Sequence, residues 1–176
     1  ENGQNRKTKY SAQMVFYNDI LVSLNTNLPN VIVKYLLEQR LLKQFKKWNL
    51  VQTEKKINNS RFDFYLTNNN NKLILEVKSC TLVKNGTALF PDSVTKRGLK
   101  HIKHLLDLKE KGYEVSMLFV IQRSDAILFK PNKLADPEFS NNLKKAYDND
   151  VSIYAIKVEM YSEKLVYSED IPIKFD

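Results

Sequence analysis

Two carboxylates and a lysine stand on neighbouring segments that read as a β-hairpin. Asp63 lies in S-R-F-D-F-Y-L (Ser60 to Leu66), Glu76 and Lys78 lie in L-I-L-E-V-K-S (Leu73 to Ser79), and four asparagines separate the two. Strand side chains alternate between faces. Phe62, Phe64 and Leu66 are therefore expected on one face, with Arg61, Asp63 and Tyr65 on the other. Leu73, Leu75 and Val77 share a face, which leaves Glu76 and Lys78 side by side opposite them. Charges converging on strands built for burial are costly unless something compensates them, and a divalent cation would do so. Mg²⁺ takes hard oxygen ligands, usually one or two carboxylates with waters and substrate phosphate oxygens. At a scissile phosphate such an ion stabilises charge developing in the transition state and makes a coordinated water a better nucleophile. Asp63 and Glu76 suit the ligand role. Three tasks are open to Lys78: orienting the water, stabilising charge or, with a pKa lowered by desolvation, acting as general base. Glu54, on the apolar-alternating stretch Leu50 to Ile57, is a candidate outer metal ligand. A solvated sheet face also carries alternating charge, so the longer context has to decide.

That context is a series of motifs in order: N-S-R-F-D-F-Y-L from Asn59, L-E-V-K-S-C-T-L-V from Leu75, N-G-T-A-L-F-P-D-S-V-T-K-R-G-L-K-H from Asn85, L-F-V-I-Q-R-S-D-A from Leu118, and D-P-E-F from Asp136. Upstream stand R-K-T-K-Y from Arg6 and L-N-T-N-L-P-N from Leu24 to Asn30. Together they resemble the sugar fermentation stimulation protein A family over nearly the whole chain. The resemblance implies a C-terminal domain of the PD-(D/E)XK, restriction-endonuclease-like type with an OB-type nucleic-acid-binding domain in front. It also implies DNA binding, a proposed nuclease activity and a proposed regulatory role in sugar metabolism. Asp63 matches the D of the family's S-R-x-D-F, and Glu76 and Lys78 match its E-x-K. Glu54 matches an acidic residue before K-Y-G, although Lys56, Ile57 and Asn58 here lack the aromatic and glycine of that turn. Many members carry Glu where Tyr35 stands, with Glu38 one turn later as a weak substitute. The implied activity is a Mg²⁺- or Mn²⁺-dependent deoxyribonuclease. The alternative is a DNA-binding regulator that keeps the site without physiologically relevant cleavage.

The elements that must position these residues follow from periodicity. Lys9 to Phe16 and Ile20 to Asn25 alternate as strands around a turn at Asn18 and Asp19. Under the resemblance, residues 1–28 are the trailing strands of the OB-type domain and residues 29–176 the nuclease-like domain. A helix is expected from about Asn30 towards Phe45, with the stripe Ile32, Leu36, Leu37 and Leu41, and Trp48 packing at its end. Strands follow at Leu50 to Ile57, Arg61 to Thr67 and Lys72 to Leu82, then a loop from Val83 to Asp92. Next come a helix from Val94 to Lys111 stopped by Gly112, strands at Val115 to Gln122 and Ala126 to Phe129, a helix from Pro137 to Tyr147 and a strand at Val151 to Val158. The fold class is α/β, a core of helix, three strands, helix and strand preceded by a short β segment.

The second helix divides into an apolar side, Ile102, Leu105 and Leu106, and a polar stripe, Arg97, Lys100, His101 and His104. Arg97, Lys100 and His101, with Arg61 and Gln122, are the candidate DNA contacts. Arg123 has an alternative partner in Asp125. Gly98 within a helix costs about 1 kcal/mol relative to alanine, which points to close approach by a backbone or a ligand. His101 and His104 lack the further ligands a zinc site needs.

Lysine and arginine total 28 against 20 acidic residues, a net charge of +8. That surplus favours phosphates through steering and counterion release without specifying DNA. With 176 residues, 43% of them hydrophobic, the chain is long enough to bury one main core. It has no run of about eighteen apolar residues, so no membrane span is expected. The polar opening lacks methionine and a signal-peptide core, which reads as truncated upstream. One cysteine, Cys80, suits a reducing cytoplasm and a small strand residue. A homodimer would bring two sites to a duplex, but nothing in the sequence requires one.

Overall fold

The computed structural model describes residues 10–175; the Arg6 segment and the first residue of the strand expected from Lys9 lie outside them. In chain order the elements are β1 (Met14–Tyr17), β2 (Ile20–Ser23), α1 (Leu28–Glu38), a 3-10 turn (Lys43–Phe45), β3 (Asn49–Ile57), β4 (Ser60–Asn68), β5 (Asn71–Cys80), β6 (Val83–Lys84) and β7 (Thr87–Phe90). There follow α2 (Lys96–Glu110), β8 (Glu114–Ile121), β9 (Leu128–Pro131), α3 (Pro137–Asp148), β10 (Ser152–Met160) and β11 (Leu165–Asp170). The architecture is mixed α/β, and the expected order helix, three strands, helix, strand is met with β6 and β7 interposed before α2.

A six-stranded sheet ordered β11-β10-β8-β5-β4-β3 forms the centre. β5, β8 and β10 run parallel, and the flanking pairs are antiparallel. Parallel strands covered on both faces read as nearly continuous apolar runs, and β8 is one: Val115 and Met117 to Ile121 are all buried. On one face α1 and the 3-10 turn bring Val33, Leu36, Phe45 and Trp48 against Leu66, Leu75 and Val120. On the other, α2 and α3 bring Ile102, Leu105, Phe139 and Leu143 against Ile74, Met117 and Phe119.

The turn expected at Asn18 and Asp19 joins β1 to β2 with φ values of 47° and 62°, the pair of positive angles a two-residue type I′ hairpin turn requires. α1 ends at Glu38, well short of the expected Phe45. Arg40 takes a left-handed φ of 55°, the usual way of leaving a helix, and the chain then turns Leu42, Phe45 and Trp48 inward at a three-residue spacing. The loop from Val83 to Asp92 holds β6 and β7, which with β9 form a separate three-stranded sheet. β11, also unforeseen, is an exposed edge strand with little apolar patterning. Among the described residues no helix is long and apolar enough to cross a membrane.

The close approach at Gly98 is made by side chains, where a backbone or a ligand was expected. A Cβ there would lie 2.9 Å from both Thr95 side-chain atoms Cγ2 and Oγ1, and 3.1 Å from a ring carbon of Phe139 on α3. Thr95 Oγ1 caps α2 by accepting from the Gly98 N–H at 3.1 Å. Asp136 ties the two helix starts together, accepting from the Thr95 and Phe139 backbone N–H groups. Gly98→Ala should therefore destabilise the fold by about 1–2 kcal/mol, overpacking and a disturbed cap outweighing the gain in helix propensity. Urea denaturation checks this; an unchanged or higher midpoint would contradict it.

Candidate active site

β4 and β5 pair from Asn68 and Asn71 up to Phe64 and Leu75, where their ladder ends. β5 itself continues beside β8 to Cys80. The next residues, Asp63 and Glu76, stand where the two strands part. A buried backbone N–H needs an acceptor, and Val77 finds one in a side chain: it donates to Asp63 Oδ2 at 2.7 Å. Asp63 Oδ1 accepts from Asn30 Nδ2 in the first turn of α1 at 2.8 Å. β3 is distorted at the same level. Thr53 pairs with Phe64 and Lys55 with Phe62, so Glu54 stands across from Asp63, with a left-handed φ of 52°. The expected common face of Phe62, Phe64 and Leu66 is broken here. Phe62 joins the core under α2, whereas Phe64 and Leu66 join the core under α1.

Glu76 is 2% exposed. Its Oε1 accepts from Lys78 Nζ at 2.5 Å and is also joined to His101 Nδ1, whereas Oε2 is buried with no hydrogen-bond partner among the described residues. Burial raises the pKa of Asp63 to about 6, the charge of Glu76 pushing the same way against the Val77 N–H, Asn30 and Lys78. Burial also pushes Glu76 upward, but the hydrogen bond from His101 and the charge of Lys78 more than offset it and hold the carboxyl below its usual range. Two adjacent carboxylates are thus driven in opposite directions by their partners.

Asp63, Glu76 and Lys78 are brought together as expected from their spacing. Glu54 shares with Asp63, Asn27, Asn30 and Lys34 a shallow pocket of about 330 Å³ beside α1. Its carboxylate, however, is exposed and lies 3.8 Å from the Arg61 guanidinium. Among the described residues no three His, Cys, Asp or Glu side chains cluster as a metal cage, so the protein's share of any ion would be the two carboxylates. That donor set, oxygen only with one buried oxygen unclaimed, fits a hard divalent cation whose remaining ligands are waters or substrate oxygens. It does not suit zinc. His101 Nδ1 is spent on Glu76, His104 Nδ1 on the Ser60 hydroxyl, and burial pushes the Cys80 thiol up to about 12.

Of the expected DNA contacts, Arg61, Arg97 and Lys100 are exposed, Lys100 donating to the Asn59 carbonyl at 2.8 Å. Two need correction. His101 is buried on the inner stripe of α2 with Gly98, Ile102 and Leu105, so it faces Glu76 and not the solvent. Gln122 is fully buried, its Nε2 donating to Ser79 Oγ at 2.8 Å, because it continues β8 beneath the covered face. Arg123 makes a two-pronged pair with Asp125 at 2.9 and 2.7 Å. Sequence reasoning missed Asn30 as the holder of Asp63 and His101 as the partner of Glu76. Their only signals were the L-P-N that opens α1 and the K-H within α2.

A family model for the sugar fermentation stimulation protein RE domain matches residues 27–164. The chain belongs to the sugar fermentation stimulation protein family. The homologue in Clostridium kluyveri is 37% identical over 175 residues, covering 99% of this chain and 76% of that one. The homologue in Desulforamulus reducens is 37% identical over 169 residues, covering 96% and 71%. Among solved structures, Pyrococcus furiosus SfsA in complex with Ca²⁺ superposes with a TM-score of 0.89 at 24% identity, over 97% of this chain and 74% of that one. The fold described for this family member is therefore shared.

The raised pKa of Asp63 carries a stability consequence. Its folded value of about 6 exceeds the ordinary 3.8, so ionisation opposes folding. The cost is absent below about pH 4 and grows as pH rises through 6, to on the order of 3 kcal/mol. Without divalent ions Asp63→Asn should raise the melting temperature at pH 8 by several degrees and leave it nearly unchanged at pH 4. Thermal melts in chelator at both pH values test this, and an equal change at both would contradict it.

Proposed function

We propose that this chain is a Mg²⁺- or Mn²⁺-dependent phosphodiesterase acting on DNA, with residues 29–176 as a restriction-endonuclease-like unit and the segment before it as the trailing strands of an OB-type domain. The observation that carries the reading is the unclaimed, buried Glu76 Oε2 beside Asp63. A buried carboxylate oxygen without a donor is costly, and a cation held by Glu76 and Asp63 would remove that cost. Support also comes from the element order of the central sheet, from the family match beginning at residue 27, and from the Ca²⁺ held by the Pyrococcus furiosus relative.

In this reading Asp63 and Glu76 hold the ion. A divalent ion there stabilises negative charge on the phosphate and eases deprotonation of water. Asn30 and the Val77 N–H keep Asp63 in one orientation, which limits reorganisation during reaction. Lys78, at the solvent edge of the pair, donates to a phosphate oxygen or to the attacking water. Arg61, Arg97 and Lys100 meet the backbone of the nucleic acid by charge, without reading sequence.

Cleavage of plasmid, duplex and single-stranded DNA, titrated with Mn²⁺ and Mg²⁺, tests the proposal. Metal-dependent product should fall at least 100-fold in Asp63→Ala, Glu76→Ala and Lys78→Ala, with DNA binding by Glu76→Ala retained. Metal binding through Asp63 without product on any DNA form would instead favour a DNA-binding regulator of sugar metabolism that keeps the site. The double variant Arg97→Ala, Lys100→Ala should weaken DNA binding and lower the salt slope by about 2; fluorescence anisotropy at several salt concentrations would show an unaltered slope if the helix face is not the contact.

A further inference from the structure

The donors around Glu76 are distributed unevenly. Lys78 Nζ and His101 Nδ1 both address Oε1, while Oε2, also buried, has no partner among the described residues. A buried ion pair serving only stability satisfies as many lone pairs as it can. Two donors on one oxygen and none on the other leave a good acceptor bare.

The two donors also differ in mounting. The His101 side chain is 4% exposed and that of Lys78 13%. The imidazole sits on α2 against the Phe62 ring, centroids 5.6 Å apart. α2 is tied to the turn between β3 and β4 by Lys100 on the Asn59 carbonyl and by His104 on Ser60, and to α3 by the close contact at Gly98. His101 has little freedom to leave. Lys78 carries three N–H donors on a flexible stem and lies nearer the solvent.

We propose that His101 is the permanent anchor of the Glu76 carboxylate and Lys78 an exchangeable one. His101 keeps Oε2 presented to a divalent ion while Lys78 is free to turn to a substrate oxygen. His101 is thus a positioning residue acting through Glu76, and the proposal rests on the metal reading above. Without it, departure of Lys78 would strand the buried carboxylate, so the ammonium would be held in place and the ion-binding oxygen would lose its orientation.

Calorimetric titration of Ca²⁺ alone into the protein, with no nucleic acid and no turnover, separates the two roles. His101→Leu and His101→Ala should each weaken Ca²⁺ binding about 10- to 100-fold, the usual effect of removing a partner behind a metal ligand. His101→Asn, whose amide nitrogen stands near the place of Nδ1, should recover affinity to within about threefold of wild type. Measuring the alanine and asparagine variants in parallel preserves the comparison if the leucine variant does not fold. Lys78→Met should bind Ca²⁺ at least as tightly as wild type, because one competing cation is gone. Wild-type affinity in the leucine and alanine variants would overturn the proposal, as would an asparagine variant that melts normally yet binds as weakly as they do. A Lys78→Met variant as weak as His101→Leu would overturn the division of labour. Absence of Ca²⁺ binding by wild type would remove the metal reading itself and this proposal with it, whereas tight wild-type binding with indifferent His101 variants removes only the latter.

Discussion

Between β4 and β5 the backbone ladder stops at Phe64 and Leu75, and beyond it a side-chain carboxylate takes over the acceptor's part. Asp63 receives the Val77 N–H that a strand carbonyl would otherwise take. Strands held together by their backbones have no room between them for functional groups. Parted, they expose two carboxylates to each other while a single hydrogen bond keeps the gap from widening. The left-handed backbone at Glu54, across β3 from Asp63, and the transfer of Phe62 to the opposite core from Phe64 occur at this same level.

The two carboxylates solve the problem of burial differently. Glu76 is kept charged by a histidine and a lysine on one oxygen. Asp63 has an amide, a backbone N–H and the more distant charge of Lys78, too little to offset burial and the neighbouring negative charge, so its proton affinity rises. Ionised Asp63 therefore costs stability at neutral pH, as expected where a binding site is prepared before its ligand arrives. Rigidity for this arrangement comes from outside the sheet: Asn30 from α1 and His101 from α2 reach it from opposite layers.

Much of the scaffold was legible because it rests on local rules. The apolar run of β8, the positive-φ turn at Asn18 and Asp19, the stop of α2 before Gly112 and the positions of β3 to β5 follow from short-range sterics and burial patterns. The rest was hidden where long-range packing overruled them. Leu42, Phe45 and Trp48 continue a helical-looking apolar pattern, yet α1 has already ended, because the core they fill is reached by a tighter turn. β6, β7 and β11 are too short or too polar to show a period. Gln122 and His101 have polar side chains that composition assigns to the surface, and only partners distant in sequence make their burial tolerable.

The chemistry of the site was written in the chain itself. Asp63, Glu76 and Lys78 lie on one hairpin, so the sixteen residues from Asp63 to Lys78 suffice to bring two carboxylates and an ammonium together. What periodicity does not specify is the state of those groups. Which oxygen of Glu76 is occupied and why it holds its proton less tightly than Asp63 depend on His101, 25 residues away, while the orientation of Asp63 depends on Asn30, 33 residues away. Hydrogen bonds between side chains on separate layers have no period in the sequence, and they came into view only once the sheet and its covering helices were packed.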